Sequence, residues 1–160
     1  MIRPTMPADT PALLALTEGT GLFLPIDVAA LDSVLKDYHA GTAGPDHYCV
    51  TWEQDGQPIG FAYYGATAMT DRTWHLWWIV VSKQIQAKGV GSQLLKHAED
   101  DARARNARLF LIETSDLQSY ELTRKFYYKH GYELAATIKD FYADNHGMVI
   151  FRKRLGPLAA

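Results

Sequence analysis

Trp74-His75-Leu76-Trp77-Trp78-Ile79-Val80-Val81 is the strongest strand signal in the chain, and shortly after it Gln86-Ala87-Lys88-Gly89-Val90-Gly91-Ser92 opens a different pattern. Apolar residues stand on both parities of the first run, which predicts a central strand buried on both faces. Beyond Gly89, the residues Val90, Leu94, Leu95 and Ala98 recur at helical spacing while Lys96, Glu99, Asp100 and Arg103 fall elsewhere, so a helix is expected to about Asn106. A buried strand, a glycine-bearing turn and a helix start together make a cradle for an anion. Glycine lets main chain approach a ligand without a Cβ in the way, and the unbonded N–H groups and dipole of the helix start favour phosphate. An ordinary strand-to-helix turn is the alternative. The spacing is not that of a P-loop, and the third glycine of the dinucleotide fingerprint is missing.

Working outward, Ile2-Arg3 predicts a short strand, and Leu13, Leu14 and Leu16 a first helix capped by Asp9 or Thr10. Val28, Leu31, Val34, Leu35 and Tyr38 predict a second helix ending near Gly41, with Asp27 at its start. Tyr48 to Glu53 and Ile59 to Ala66 flank Gln54-Asp55-Gly56-Gln57-Pro58, which has hairpin chemistry. On the other side of the opening stretch, Leu109 to Ile112 predicts a buried strand and Tyr120 to Lys129 a helix closed at His130-Gly131. Tyr132 to Lys139 and Met148 to Lys153 predict two last strands, whose aromatic edges suit a homodimer. One domain over residues 1–155 with a short tail, 156–160, is expected.

Composition narrows the function. With 160 residues, 16 Lys+Arg, 18 Asp+Glu and a net charge of −2, the chain lacks the basic surplus that neutralising phosphate backbones requires, so nucleic acid is not expected as a partner. The charge is unevenly spread: residues 1–81 hold 3 basic against 9 acidic residues, whereas residues 82–108 hold 6 against 3. That split suits an anionic ligand and a cationic one meeting in one protein. The single cysteine, Cys49, makes no internal disulfide, and no Cys/His set has zinc spacing, so no metal is expected. No apolar run approaches the roughly 20 residues that cross a bilayer. The interrupted start from Met1 to Pro11 does not look like a signal peptide, so a cytoplasmic setting without membrane association is expected.

A second motif, Arg124-Lys125-Phe126-Tyr127-Tyr128-Lys129-His130-Gly131-Tyr132, places a phenol about one turn before a helix end. The two motifs in this order, with a strand between, resemble the GNAT superfamily of acetyl-CoA-dependent N-acetyltransferases over nearly the whole chain. Gln86-x-x-Gly89-x-Gly91 matches its coenzyme A signature, and Phe126-Tyr127 with Gly131-Tyr132 matches its later aromatic-glycine motif. Glu113-Thr114-Ser115, Tyr120, Thr123-Arg124 and Asp140-Phe141-Tyr142 further look like a group of small bacterial acetyltransferases.

The resemblance implies an α+β fold: a mixed, mostly antiparallel twisted sheet of about six or seven strands flanked by about four helices, with splayed central strands. It implies that main-chain groups of Ile79, Val80 and Val81 pair with the pantetheine arm of acetyl-CoA, and that Gln86, Ala87, Lys88, Gly89, Val90, Gly91 and Ser92 take its pyrophosphate. Tyr120 and Arg124 would also contact the cofactor, Tyr120 standing where the family often has Asn. Tyr127 would hydrogen-bond the sulfur and protonate the leaving thiolate. An incoming primary amine must lose a proton before attack, and His75 or Glu113 is the candidate base. Phe23, Trp77 and Glu113 are the candidate acceptor contacts, although packing alone would account for the tryptophans. Asn145-His146-Gly147 departs from a Gly-Asp-Asp pattern, which removes acidic charge from that loop. A coenzyme A-binding regulatory or partner-binding domain without catalysis is the competing function.

Overall fold

Turn chemistry and apolar patterning set the elements of this computed structural model, which describes residues 1–85 and 89–157. Among the described residues there are seven strands and four α-helices. The strands are β1 (Ile2–Pro4), β2 (His47–Gln54), β3 (Gln57–Ala66), β4 (Thr73–Val81), β5 (Leu109–Ser115), β6 (Glu133–Ala143) and β7 (His146–Arg154), and the helices are α1 (Thr10–Gly19), α2 (Pro25–Ala40), α3 (Val90–Ala104) and α4 (Glu121–Lys129). They form one mixed sheet in the order β1-β2-β3-β4-β5-β7-β6. β4 and β5 pair in parallel, with Thr73–Leu76 against Leu109–Ile112, and the pairs β1·β2, β2·β3, β5·β7 and β6·β7 are antiparallel. This is the fold class expected from the sequence.

Local chemistry explains the boundaries. Asp55 and Gly56 both have positive φ (52° and 74°) between the paired Gln54 and Gln57, the geometry of a two-residue Asp-Gly hairpin turn. At the start of α2, Pro25 takes the first helical position and the Asp27 carboxylate accepts the Leu24 N–H at 2.7 Å; left-handed Gly41 closes the helix. Asp9 stands at the N-cap position of α1 as expected, but its side chain makes no hydrogen bond to that helix. It sits in a short 3-10 turn, where its carboxylate accepts the Met6 N–H at 2.8 Å and pairs with Arg3. α3 stops at Ala104, short of Asn106, because Ala107 N–H returns to the Ala102 carbonyl through left-handed Asn106. Tyr120 ends a 3-10 turn just ahead of α4 instead of belonging to it.

β4 corrects one expectation. Trp74, Leu76, Val80 and Val81 are buried, but His75, Trp78 and Ile79 are half-buried and Trp77 is 36% exposed. The strand is therefore not covered evenly on both faces. Apolar run length signals a strand at the sheet centre, but it does not say whether each face is roofed.

The described residues group into two compact units, Met1–Gly65 with Trp78–Ala98, and Ala66–Trp77 with Glu99–Ala160. In the first, Leu13, Leu31, Leu35, Cys49, Phe61, Tyr63 and Val80 are buried together, and Phe23, Tyr38 and Trp78 pack on them. In the second, Phe110, Ile112, Tyr127, Tyr132 and Phe151 are buried. There the Tyr127 ring lies 5.6 Å from Phe151 and 5.8 Å from Tyr132.

Candidate active site

In the first unit, the β4 end and the α3 start hold the described part of the predicted cradle. Gly60 on β3 is needed for packing, since a Cβ there would stand 3.0 Å from the Val80 carbonyl oxygen and 3.2 Å from Leu94. Ser82 N–H donates to the Ile59 carbonyl at 2.8 Å, and a turn follows as Ile85 N–H reaches the Ser82 carbonyl. Gly89 then adopts φ +78°, with nothing within 4 Å of where its Cβ would be. Its backbone conformation favours glycine while the space beside it stays open. Helix α3 starts at once with Val90, Gly91 and Ser92, whose first-turn N–H groups point out of the helix end. These residues fit a phosphate-bearing ligand by donor chemistry and open space. Gln86, Ala87 and Lys88 lie outside the described residues. Ile79 is half-buried, and Val80 and Val81 bury their side chains. Phe23 packs against Trp78 with ring centroids 5.5 Å apart.

The second unit holds the groups suited to proton transfer. Because β4 and β5 pair with His75 opposite Leu111, residues 75, 77, 111 and 113 share one sheet face. That register brings together the two residues that the sequence offered as rival bases. His75 Nε2 lies 3.6 Å from Glu113 Oε1, with the His75 side chain 14% exposed and that of Glu113 44% exposed. The histidine beside it holds the Glu113 carboxyl below its ordinary value, against the opposing effect of burial. His75 also lies flat on Trp77, with centroids 5.9 Å apart and planes 8° from parallel, and its Nδ1 is 2.5 Å from the Thr67 hydroxyl.

Tyr127 is buried among Phe126, Tyr132 and Phe151. Burial pushes its phenol up, so it keeps its proton at neutral pH. Among the described residues, no hydrogen bond involves its hydroxyl. Tyr120 is half-buried. Arg124 spends one guanidinium nitrogen on the main chain, donating to the Ser115 and Leu117 carbonyls at 2.8 Å each. It thus fixes the connection from β5 to α4 whatever else it does.

Thr67 carries no signal in the sequence, whereas the β6–β7 turn stands out there only through Asn145-His146-Gly147. Ser115 Oγ lies 2.8 Å from His146 Nε2, Tyr142 packs on the His146 ring, and Gly147 N–H donates to Asp116 Oδ1 at 2.8 Å. A Cβ at Gly147 would collide with the Asp116 carboxylate and approach the Ile138 carbonyl to 2.8 Å. The Asn145-His146-Gly147 departure therefore has a structural use: it pins the hairpin to the end of β5. In the first unit, burial pushes the Cys49 thiol up to about 12, which makes it a poor nucleophile. No helix among the described residues is long and apolar enough to cross a membrane.

Comparison with known proteins gives three findings. The model of the acetyltransferase (GNAT) family matches residues 20–132. No curated protein sequence matches the chain. Among solved structures, a protein from Desulfovibrio desulfuricans assigned to the GNAT family of acetyltransferases shares 29% identity at TM-score 0.92, covering 98% of this chain and 99% of that one. The ribosomal-protein-alanine N-acetyltransferase of Brucella melitensis is 21% identical at TM-score 0.75, with 97% and 99% covered. A Salmonella typhimurium protein assigned as an acetyltransferase, solved with its cofactor acetyl-CoA, is 17% identical at TM-score 0.76, with 100% and 96% covered. At these lower identities the last two are likenesses of fold.

Proposed function

The chain belongs to the acetyltransferase (GNAT) family, and from that premise we propose that it moves the acetyl group of acetyl-CoA to a primary amine by direct attack. The observation that carries the mechanism is the approach of His75 Nε2 to Glu113 Oε1 at 3.6 Å, beside the half-open Trp77. A primary amine is an ammonium ion at neutral pH, with a pKa around 10. It needs a carboxylate to attract it and a base to take its proton, and this pair offers both. A covalent acyl-enzyme route has little support, because Cys49 is buried with its thiolate disfavoured.

The remaining roles follow the family. First-turn N–H groups at Gly89, Val90, Gly91 and Ser92, together with Gln86, Ala87 and Lys88, take the pyrophosphate, and main chain at Ile79, Val80 and Val81 takes the pantetheine amides. Tyr120 and Arg124 border the cofactor. Tyr127 supplies a proton to the leaving thiolate, for which its unpartnered hydroxyl is suited. Phe23 and Trp77 contact the acceptor.

Thiol release from acetyl-CoA across a panel of polyamines, amino acids, aminoglycosides and peptide N-termini is the test. At least one amine should be acetylated by the wild type. Gly89→Glu, which puts bulk, negative charge and an unfavourable φ at the cradle, should abolish coenzyme A binding measured by calorimetry. Undiminished binding in that variant would remove the cradle assignment, and failure on every amine would remove the activity.

A further inference from the structure

Thr67 lies just past the end of β3, in the connection to β4. Its N–H donates to the Thr73 carbonyl at 2.8 Å, and its carbonyl accepts the Thr70 hydroxyl at 2.8 Å. This folded-back turn fixes the Thr67 main chain beside the start of β4, where the side-chain oxygen meets His75 Nδ1 at 2.5 Å. The imidazole is thereby held in three ways: Thr67 at one nitrogen, Glu113 facing the other, and Trp77 against the ring plane. Arg152 shares this face of the sheet on β7, two strands from His75, and it is ion-paired with Glu133 at 3.0 Å.

A neutral imidazole carries one proton, and the position of that proton decides which nitrogen can act as a base. A carboxylate only accepts, so Glu113 alone would draw the proton to Nε2 and leave no lone pair there. At 3.6 Å, however, the Glu113 contact is longer than a hydrogen bond, whereas the Thr67 oxygen is in direct hydrogen-bonding contact with Nδ1. A threonine hydroxyl can accept as well as donate.

We infer that Thr67 Oγ1 accepts the Nδ1–H of His75 and so keeps the Nε2 lone pair free. His75 is then the base, Thr67 its positioning residue, and Glu113 the group that attracts the substrate ammonium and afterwards faces the imidazolium. This inference rests on the amine acetyltransferase reading. A proton leaves the ammonium for Nε2, the freed nitrogen lone pair forms the bond to the thioester carbon, and the carbon–sulfur bond breaks. The ammonium loses two protons on its way to the amide. One passes to solvent, and the other replaces the proton that Tyr127 gives to the thiolate.

The first experiment needs no substrate. Ring-nitrogen NMR of the 15N-histidine-labelled protein should show neutral His75 with its proton on Nδ1; a proton on Nε2 overturns the inference. In Thr67→Val, nearly isosteric but without the oxygen, the proton should move to Nε2. There kcat/KM for the amine should fall ~10- to 100-fold, with KM for acetyl-CoA unchanged and the rising limb of the pH profile displaced. Thr67→Ser, which restores a hydroxyl, should return the Nδ1–H form and most of the rate. Unchanged tautomer and rate in Thr67→Val, or a serine variant as impaired as the valine one, also overturns it. Should the wild type acetylate no amine at all, the proposed activity fails, and the NMR result still decides the hydrogen bond.

Discussion

Tyr127 and Tyr132 flank the turn that ends α4, their rings 5.8 Å apart, and each is 3% exposed. Their hydroxyls differ completely. Tyr132 donates to the Glu99 carboxylate at 2.9 Å, and burial together with that negative charge pushes its phenol well up, while the Tyr127 hydroxyl has no partner among the described residues. The same contrast separates two carboxylates of this unit. The Glu99 side chain, 7% exposed, receives Lys153 at 2.9 Å on both oxygens, Tyr132 on one and Arg103 at 3.3 Å on the other. Glu113 is half open and faces His75 at 3.6 Å, its one ion-pair partner among the described residues. Burial does not distinguish the two tyrosines; the hydrogen bonding of their hydroxyls does. A satisfied buried network holds the fold together, whereas a buried donor left without a partner costs stability unless a ligand completes it.

Exchanging hydroxyls for hydrogen tests this directly, and the largest effect is expected at Tyr127. Tyr127→Phe should lower kcat by roughly 100-fold or more, the scale of a lost acid catalyst, with coenzyme A affinity unchanged. Its urea unfolding free energy should hold or rise, because no intramolecular hydrogen bond is lost. Unchanged turnover at saturating acceptor would remove Tyr127 from the chemistry. Next in size is Glu99→Gln, which leaves the half-buried Lys153 ammonium without its counter-charge. Equilibrium unfolding should show a loss of about 3 kcal/mol, while the folded variant keeps its kcat.

The comparison also shows where sequence stops being informative. The helix end behind Tyr127 was legible because Gly131, which the structure places at φ +83°, closes the motif. The strand-turn-helix around Gly89 was legible because glycine, helix periodicity and an apolar strand are local signals. His75 and Glu113 could be offered only as rivals. Nothing in a one-dimensional string says that β4 and β5 pair with His75 opposite Leu111, and that register alone decides that they share a face. Thr67 carried no signal at all, since its use depends on a turn that folds it back beside β4. The partly open face of β4 was misjudged for a related reason: tryptophan favours strands whether or not its face is roofed.

A smaller effect is expected at Tyr132. Tyr132→Phe removes one of the several donors to Glu99 and should cost about 1–2 kcal/mol in urea unfolding, the scale of a hydrogen bond to a charged group. Its kcat should match the wild type. A fall in kcat without loss of stability would reverse the roles of the two tyrosines and break the contrast at its clearest point.

The smallest effect should come from Glu113 as a contributor to stability, and its sign can be worked out. His75 lowers the Glu113 carboxyl in the folded state, so the unfolded chain takes up that proton first as pH falls. The resulting stabilisation is present above the ordinary carboxylate range and is lost as pH drops through the lower folded value. Because the side chain is 44% exposed, water and salt screen the interaction. The stability difference between wild type and Glu113→Gln at neutral pH should therefore be below about 1 kcal/mol, and it should shrink both in acid and at high ionic strength. Turnover should respond far more strongly to the same substitution. If Glu113→Gln instead destabilised the protein as much as Glu99→Gln, the half-open carboxylate would be a structural anchor like the buried one, and the proposed part of Glu113 in attracting the ammonium would fall.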